Sequence, residues 1–165
     1  MPFDFFDGND EMQINADDIK KEEQRKRTFN GLRASEWAEL SKSVWNDVSS
    51  ARQKKHLKHG ATYPEKLCER LIKMYSKVGD VVLDPFLGTG TTVVAAIKKQ
   101  RNAIGVELTD RFFTVANESV EEVVNEQQLS LFDEQCKLGK YKLYKGDCYE
   151  VLKSISNEKV QITIT

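Results

Sequence analysis

Three carboxylates in the middle of this 165-residue chain each follow a short apolar run: Asp84 after Val81-Val82-Leu83, Glu107 after Ala103-Ile104-Gly105-Val106, and Asp147 after the segment Tyr141 to Gly146. An ionised carboxyl accepts hydrogen bonds on both oxygens, so it can hold a cation or a pair of hydroxyls. Between the first two acids lies Pro85-Phe86-Leu87-Gly88-Thr89-Gly90-Thr91-Thr92, a glycine-rich turn. Glycine lets the backbone turn tightly and approach a ligand closely. Glu107 falls about twenty residues past that turn, where an acid can take a ribose diol. The combination is that of a nucleotide-cofactor site.

These groups need a scaffold. Val81 to Leu83 reads as a strand covered on both faces, ended by Pro85, which has no ladder donor. Thr91-Thr92-Val-Val-Ala-Ala-Ile-Lys-Lys99 reads as a helix with a basic end. Asn102 to Leu108 reads as a second strand and Asp110 to Asn125 as an amphipathic helix; Glu118, Glu121, Glu122 and Glu126 stay in water. Tyr141 to Cys148 predicts a third strand with its exit turn, Tyr149 to Ile155 a short helix, and Val160 to Thr165 a β-branched fourth strand. Upstream, Ser35 is an N-cap for a helix with Trp37, Leu40, Val44 and Val48 on one stripe; Trp45 lies off that stripe, and both tryptophans read as core packing. Thr62 and Glu65 have capping-box spacing, Pro64 suits a first turn, Leu67, Leu71, Met74 and Tyr75 share a face, and Gly79 stops that helix. Alternating strands and helices predict a Rossmann-like, doubly wound parallel sheet of about four strands with right-handed crossovers. Ligands of such sheets sit at the carboxyl ends of the strands.

The turn departs from a dinucleotide fingerprint. Gly88-Thr-Gly90-Thr-Thr-Val93 lacks the third glycine, and Asp84 precedes it, where a diphosphate would be repelled. No Gly-Lys-Ser/Thr follows, so it is not a P-loop. S-adenosyl-L-methionine, with an α-ammonium, a sulfonium and a ribose diol, fits this order of groups.

The rest of the chain sets limits. A net charge of −1 hides an acidic stretch from Met1 to Glu23 and a basic one from Arg25 to Lys58. Basic blocks contact nucleic acid in some proteins but are more often solvated surface, the reading preferred here. Residues 1–30 read as a weakly ordered acidic segment and 31–165 as the folded part. Cys68, Cys136 and Cys148 have no paired spacing, which predicts reduced thiols and neither a disulfide framework nor a zinc site. His56 and His59 have no neighbouring acid or cysteine and read as solvated, so no metal is expected. No apolar run is long enough to span a membrane and the acidic start is not a signal peptide; a cytoplasmic location is the expectation.

Asp84-Pro-Phe-Leu-Gly-Thr-Gly-Thr-Thr92 closely resembles the cofactor motif of the DNA amino-methyltransferases, which methylate N4 of cytosine or N6 of adenine. Three further segments resemble that family in the same order. His59 to Leu67 resembles the helix that closes over the methionine end of the cofactor, implying contacts from Thr62, Tyr63, Pro64 and Glu65. Gly105-Val-Glu107-Leu108 resembles the ribose-binding strand end, and Lys145-Gly-Asp147-Cys148 the turn that holds the adenine amine through Asp147. The resemblance covers about Trp37 to Thr165. It implies a direct methyl transfer to a base flipped out of double-stranded DNA, with N4-cytosine placed slightly ahead of N6-adenine and a role in restriction-modification. No cysteine nucleophile is called for, so Cys148 reads as packing.

The family's Ser/Asp/Asn-Pro-Pro-Tyr/Phe loop has no counterpart, since the chain contains no Pro-Pro. No catalytic residue is therefore assigned. The expectation is a cofactor-binding part, inactive alone and completed by a second chain or by further residues carrying that loop. A non-catalytic regulatory module and a fragment of an RNA or protein methyltransferase are the alternatives. Finally, Gln128-Leu129-Ser-Leu131-Phe132 resembles the motif with which bacterial proteins dock on the replication sliding clamp; packing of these residues on the preceding helix or the sheet edge is the favoured reading.

Overall fold

The computed structural model describes residues 29–47, 63–129, 138–155 and 159–165. Within them, β1 (Val81–Asp84), β2 (Asn102–Glu107), β3 (Tyr141–Lys145) and β4 (Ile162–Thr163) form one parallel sheet in the order β3-β2-β1-β4. Five α-helices accompany them: α1 (Ala34–Leu40), α2 (Glu65–Tyr75), α3 (Thr91–Lys98), α4 (Asp110–Leu129) and α5 (Cys148–Ser154), with a 3-10 turn at Phe29–Gly31 before the first. Helices α3 and α4 lie in the first two crossovers, which step away from β1 in one direction. The third crossover carries α5 and returns across β2 and β1 to seat β4 on the far side of β1. The strand order therefore reverses between β1 and β4.

Strand alternation separates two apolar layers. Val82 and Ala103, with Leu143 at the margin, face Cys68 and Ile72 of α2, Val93 to Ile97 of α3, and Ala116 and Val120 of α4. Val81, Leu83 and Ile104 face the other way, against Tyr144, Ile155 and Val160. Every residue of β1 is buried, as its unbroken apolar run requires. The doubly wound architecture expected from the sequence is the one observed.

Element ends differ from the sequence reading at several points. Helix α1 is capped by Arg33 rather than Ser35 and stops at Leu40; Val44 is 69% exposed, and Val48 lies outside the described residues. Its end is set from a distance. The Arg70 guanidinium of α2 donates to the carbonyls of Glu39 (2.7 Å) and Leu40 (2.9 Å) and to Asp47 (3.0 Å), and stacks over Trp45. Trp37 meets Tyr75 edge-on, so neither tryptophan enters the core.

Helix α2 starts at Glu65 with Pro64 as N-cap, whose carbonyl accepts from Leu67 N (2.9 Å); Thr62 is outside the described residues. Its buried face is Cys68, Arg70, Ile72 and Met74, and Tyr75 turns outward. It ends before Gly79, at Ser76. There the Arg101 guanidinium donates to Ser76 Oγ (3.1 Å), to Ser76 O (2.7 Å) and to Lys99 O (2.7 Å), tying the ends of α2 and α3 together. Helix α4 runs four residues beyond the expected Asn125, and β4 pairs over two residues, not six. His56, His59, Cys136 and the Ser130 to Phe132 part of the clamp-like segment lie outside the described residues.

Candidate functional site

The turn after β1 is held by packing as well as by glycine. Leu87 N donates to Val106 O (2.8 Å), and the Leu87 side chain lies across Gly105, where a Cβ would come within 2.7 Å of Leu87 Cδ1. Glycine in β2 thus leaves the room that the Leu87 side chain occupies. Gly88 and Gly90 both have positive φ, 56° and 88°. Gly90 also caps α3 against α4, since a Cβ there would sit 3.1 Å from Ala116 Cα. Chain direction and close packing together put the buried Gly88, Thr89 and Gly90 at the carboxyl end of the sheet.

Asp84 is the last residue of β1 and is 5% exposed. Its Oδ1 accepts from Phe86 N (3.1 Å). Burial pushes its pKa above the ordinary carboxylate value. The Thr92 and Phe86 hydrogen bonds work against that, and the nearby Glu107 charge adds to it. An acid so placed gains most from a cation.

Glu107 ends β2 and is gripped from both sides. Its Oε2 accepts from Gly88 N (2.8 Å) and its Oε1 from Thr109 N (2.9 Å). Each oxygen keeps a second lone pair. Asp147 caps α5, with its Oδ1 accepting from Tyr149 N (2.8 Å) and Glu150 N (3.4 Å); among the described residues none donates to Oδ2. Gly146 N donates to Glu107 O (2.9 Å), which binds this turn to the end of β2. The three acids therefore stand in a row over β1, β2 and β3. At a strand spacing of about 4.8 Å the row spans about 10 Å.

Other sequence-predicted residues divide. Phe86 and Leu108 are 67% and 66% exposed and leave apolar surface on the same edge, Tyr149 with them. Pro85 and Thr91 are half-buried, and Cys148 is the half-buried first residue of α5. Tyr63 hydroxyl donates to Thr165 O (2.9 Å), beyond β4, across the point where the strand order reverses. The Glu65 carboxylate pairs with Lys98 (2.7 Å), the last residue of α3, at the end of that helix away from the glycine turn. Thr92 points inward and is 2% exposed. Missed by the sequence reading were Arg70, Arg101 and the inward pairing of Thr92 with Cys68, 3.9 Å apart. A charge flanked by two buried apolar positions in one helix, Cys68-x-Arg70-x-Ile72, was the one available signal.

Among the described residues no helix is long and apolar enough to cross a membrane, and no group of three or more His, Cys, Asp or Glu side chains is placed to hold a metal ion.

A parallel sheet with a glycine turn after β1 and acids at the ends of three adjacent strands defines an α/β nucleotide-cofactor fold of the methyltransferase type. The DNA methylase family of N6 and N4 enzymes matches residues 5–118, and the chain belongs to it. The type II methyltransferase M.MthZI of Methanothermobacter thermautotrophicus is 44% identical over 113 residues, covering 64% of this chain and 31% of that protein. M.BglI of Bacillus subtilis is 42% identical over 93 residues, 56% of this chain and 26% of that protein. The chain thus spans less than a third of the length of these relatives. Among solved structures, TTHA0409 of Thermus thermophilus superposes with a TM-score of 0.51 at 31% identity, over 77% of this chain and 42% of that one. It is a candidate DNA modification methylase, crystallised in complex with S-adenosyl-L-methionine.

Proposed function

We propose that this chain binds S-adenosyl-L-methionine and forms the cofactor-binding portion of a site-specific DNA methyltransferase of the cytoplasm. Its target is an exocyclic base amine, N4 of cytosine ahead of N6 of adenine, within a restriction-modification system. The observation that carries this reading is the row Asp84, Glu107, Asp147 at the carboxyl ends of β1, β2 and β3, with Glu107 locked by two backbone N–H groups. The residues present fit the cofactor on lone-pair chemistry. Asp84, buried and short of a counter-charge, suits an α-ammonium. Glu107 has one open acceptor site on each oxygen for a ribose diol. Asp147, capping α5 with Oδ1, has Oδ2 for an adenine amine.

Backbone from Gly88 to Thr91 lines the turn, Phe86 and Leu108 supply apolar cover, Cys148 packs beside Asp147, and Thr62, Tyr63, Pro64 and Glu65 approach the methionine end. When bound, the cofactor supplies an electrophilic methyl group on a sulfonium. The chain's own work is to orient it and keep water from it. The acceptor side, double-stranded DNA with a flipped base, needs the Ser/Asp-Pro-Pro-Tyr loop from a complementary chain or segment; Ser in that loop favours cytosine and Asp favours adenine. Docking on the sliding clamp through Gln128, Leu129, Leu131 and Phe132 would be a further partner contact.

Calorimetric titration of the purified chain tests the reading. Saturable binding of S-adenosylmethionine is expected, with adenosine competing and 2′,3′-dideoxyadenosine failing to compete. Absence of binding overturns the cofactor assignment. Incorporation of labelled methyl groups into DNA by these 165 residues alone would overturn the dependence on a second part.

A further inference from the structure

One peptide unit carries the turn's grip on Glu107. The Leu87–Gly88 peptide is planar, so its carbonyl and its N–H can only turn together. Leu87 O accepts from Gly90 N (3.0 Å), and Gly88 N donates to Glu107 Oε2 (2.8 Å). The plane is thus held within the turn at one end and on the acid at the other. Leu87 itself sets where that plane stands on the sheet. Its N donates to Val106 O (2.8 Å), and the residue is 4% exposed. Its side chain occupies the room that Gly105 leaves: a Cβ there would lie 2.7 Å from Leu87 Cδ1, 2.9 Å from Leu87 Cδ2 and 3.1 Å from Leu143 Cδ2. Gly105 pairs with Asp84 of β1 on one side and Leu143 of β3 on the other, and Glu107 is two residues further along the same face of β2. Leu87 is therefore seated among the strand ends that carry the acids, and is too buried to be a ligand contact.

We infer that Leu87 is a positioning residue for Glu107: its side chain, keyed onto Gly105, fixes the peptide plane that aims Gly88 N–H at the carboxylate, and so presets the rotamer in which Glu107 receives a diol. This rests on the assignment of Glu107 to the ribose. A long side chain already held in its bound rotamer loses less freedom when the ligand arrives. Thr109 N–H, the other donor to Glu107 (2.9 Å), comes from the continuation of β2 itself and does not pass through Leu87. It is the internal reference: disturbing Leu87 should release Glu107 from the turn but not from Thr109.

The test uses Leu87→Ala, which empties the seat, Gly105→Ala, which fills it from the other side, and Leu87→Met, which keeps the volume. Adenosine and 2′,3′-dideoxyadenosine, which lacks the diol, are each titrated into the purified chain by NMR, and amide exchange at Gly88 and Thr109 is measured without ligand. The wild-type chain should prefer adenosine. Leu87→Ala and Gly105→Ala should each cut that preference by roughly two- to tenfold, the cost of ordering one long side chain, with the dideoxynucleoside little affected. Both should speed exchange at Gly88 and leave Thr109 at its wild-type rate. Leu87→Met should keep the preference and both rates. Leu87→Val replaces the alanine variant if that does not fold. Equal losses for the two nucleosides overturn the inference and leave Leu87 as a packing residue, as does Gly88 exchange at the wild-type rate. If even the wild-type chain binds neither nucleoside, or binds both alike, the ribose assignment of Glu107 falls. Exchange then decides alone: faster at Gly88 in Leu87→Ala, the hold of Leu87 on Glu107 stands; unchanged, it falls as well.

Discussion

Replacement of Gly90 by alanine separates two reasons for a glycine. At φ 88° any L side chain is strained, which costs about 1–2 kcal/mol. Its Cβ would also meet Ala116 Cα at 3.1 Å, Cβ at 3.2 Å and O at 3.3 Å, two of them backbone atoms of α4. Backbone cannot swing aside as a side-chain tip can, so an overpacking cost of about 1–3 kcal/mol is added. The sum is about 2–5 kcal/mol, a large part of the 5–15 kcal/mol typical of a domain. Gly79 is the internal control: its φ is 87°, yet a Cβ there meets nothing within 4 Å. Gly79→Ala should therefore show the backbone cost alone. In urea unfolding followed by circular dichroism, Gly90→Ala should lower the midpoint by roughly 1–2 M and Gly79→Ala by about 0.5–1 M. Equal losses from the two variants would refute the packing argument and leave only the dihedral one.

Two further perturbations have definite signs. Asp84→Asn removes a carboxyl whose pKa the fold raises. Such a group binds its proton more tightly in the native state, so its contribution is fully present below its unfolded pKa and is lost as pH rises through the folded one. Thermal midpoints of Asp84→Asn should therefore gain on wild type as pH rises from about 4, while binding of S-adenosylmethionine falls by about tenfold or more; a gap that shrinks with pH would contradict the assignment. Arg70→Met keeps the length of the side chain but strips the donors from Glu39 O and Leu40 O, at a cost of about 2–3 kcal/mol. Asp47 is largely exposed, so its ion pair adds little. Trp45 emission should shift to the red as its cationic cover is lost, and an unshifted spectrum would mean that Trp45 is held by other contacts.

What the sequence made legible follows from the range of the forces involved. β1 and β2 were readable to within a residue because strands covered on both faces write themselves as unbroken apolar runs ended by Pro85 or Glu107. Once strand ends are known the carboxyl edge is known, and Asp84, Glu107 and Asp147 fall on it. Helix α1 was not readable. Trp37, Leu40, Val44 and Val48 keep helical spacing, yet Arg70, thirty residues along the chain, takes the carbonyls that would have continued the helix. Ser76 likewise ends α2 because Arg101 holds it, and no local pattern contains that contact. The direction in which Thr92 points was hidden for a similar reason. Two threonines in sequence look alike until α2 supplies Cys68 and only the second is turned inward. Local patterns placed the strands and helices but not all their ends: Arg33, not Ser35, caps α1, α4 runs on to Leu129, and β4 keeps only Ile162 and Thr163.

The position of β4 has a kinetic consequence. β1 meets β2 through a loop of about twenty residues, but the bond between Val81 and Gln161, at the start of the β4 pairing, closes one of 80. With loop entropy growing as the logarithm of length, that closure costs about 1.2 kcal/mol more, and only two register pairs offset it. The sheet thus assembles from β1 outward through β2 and β3, with the row of acids complete before β4 arrives. With two register pairs, β4 is expected to be the first strand to open, which faster amide exchange at Ile164 than at Val82 or Ile104 would show. The side of β1 at which the strand order reverses would then be the last to close.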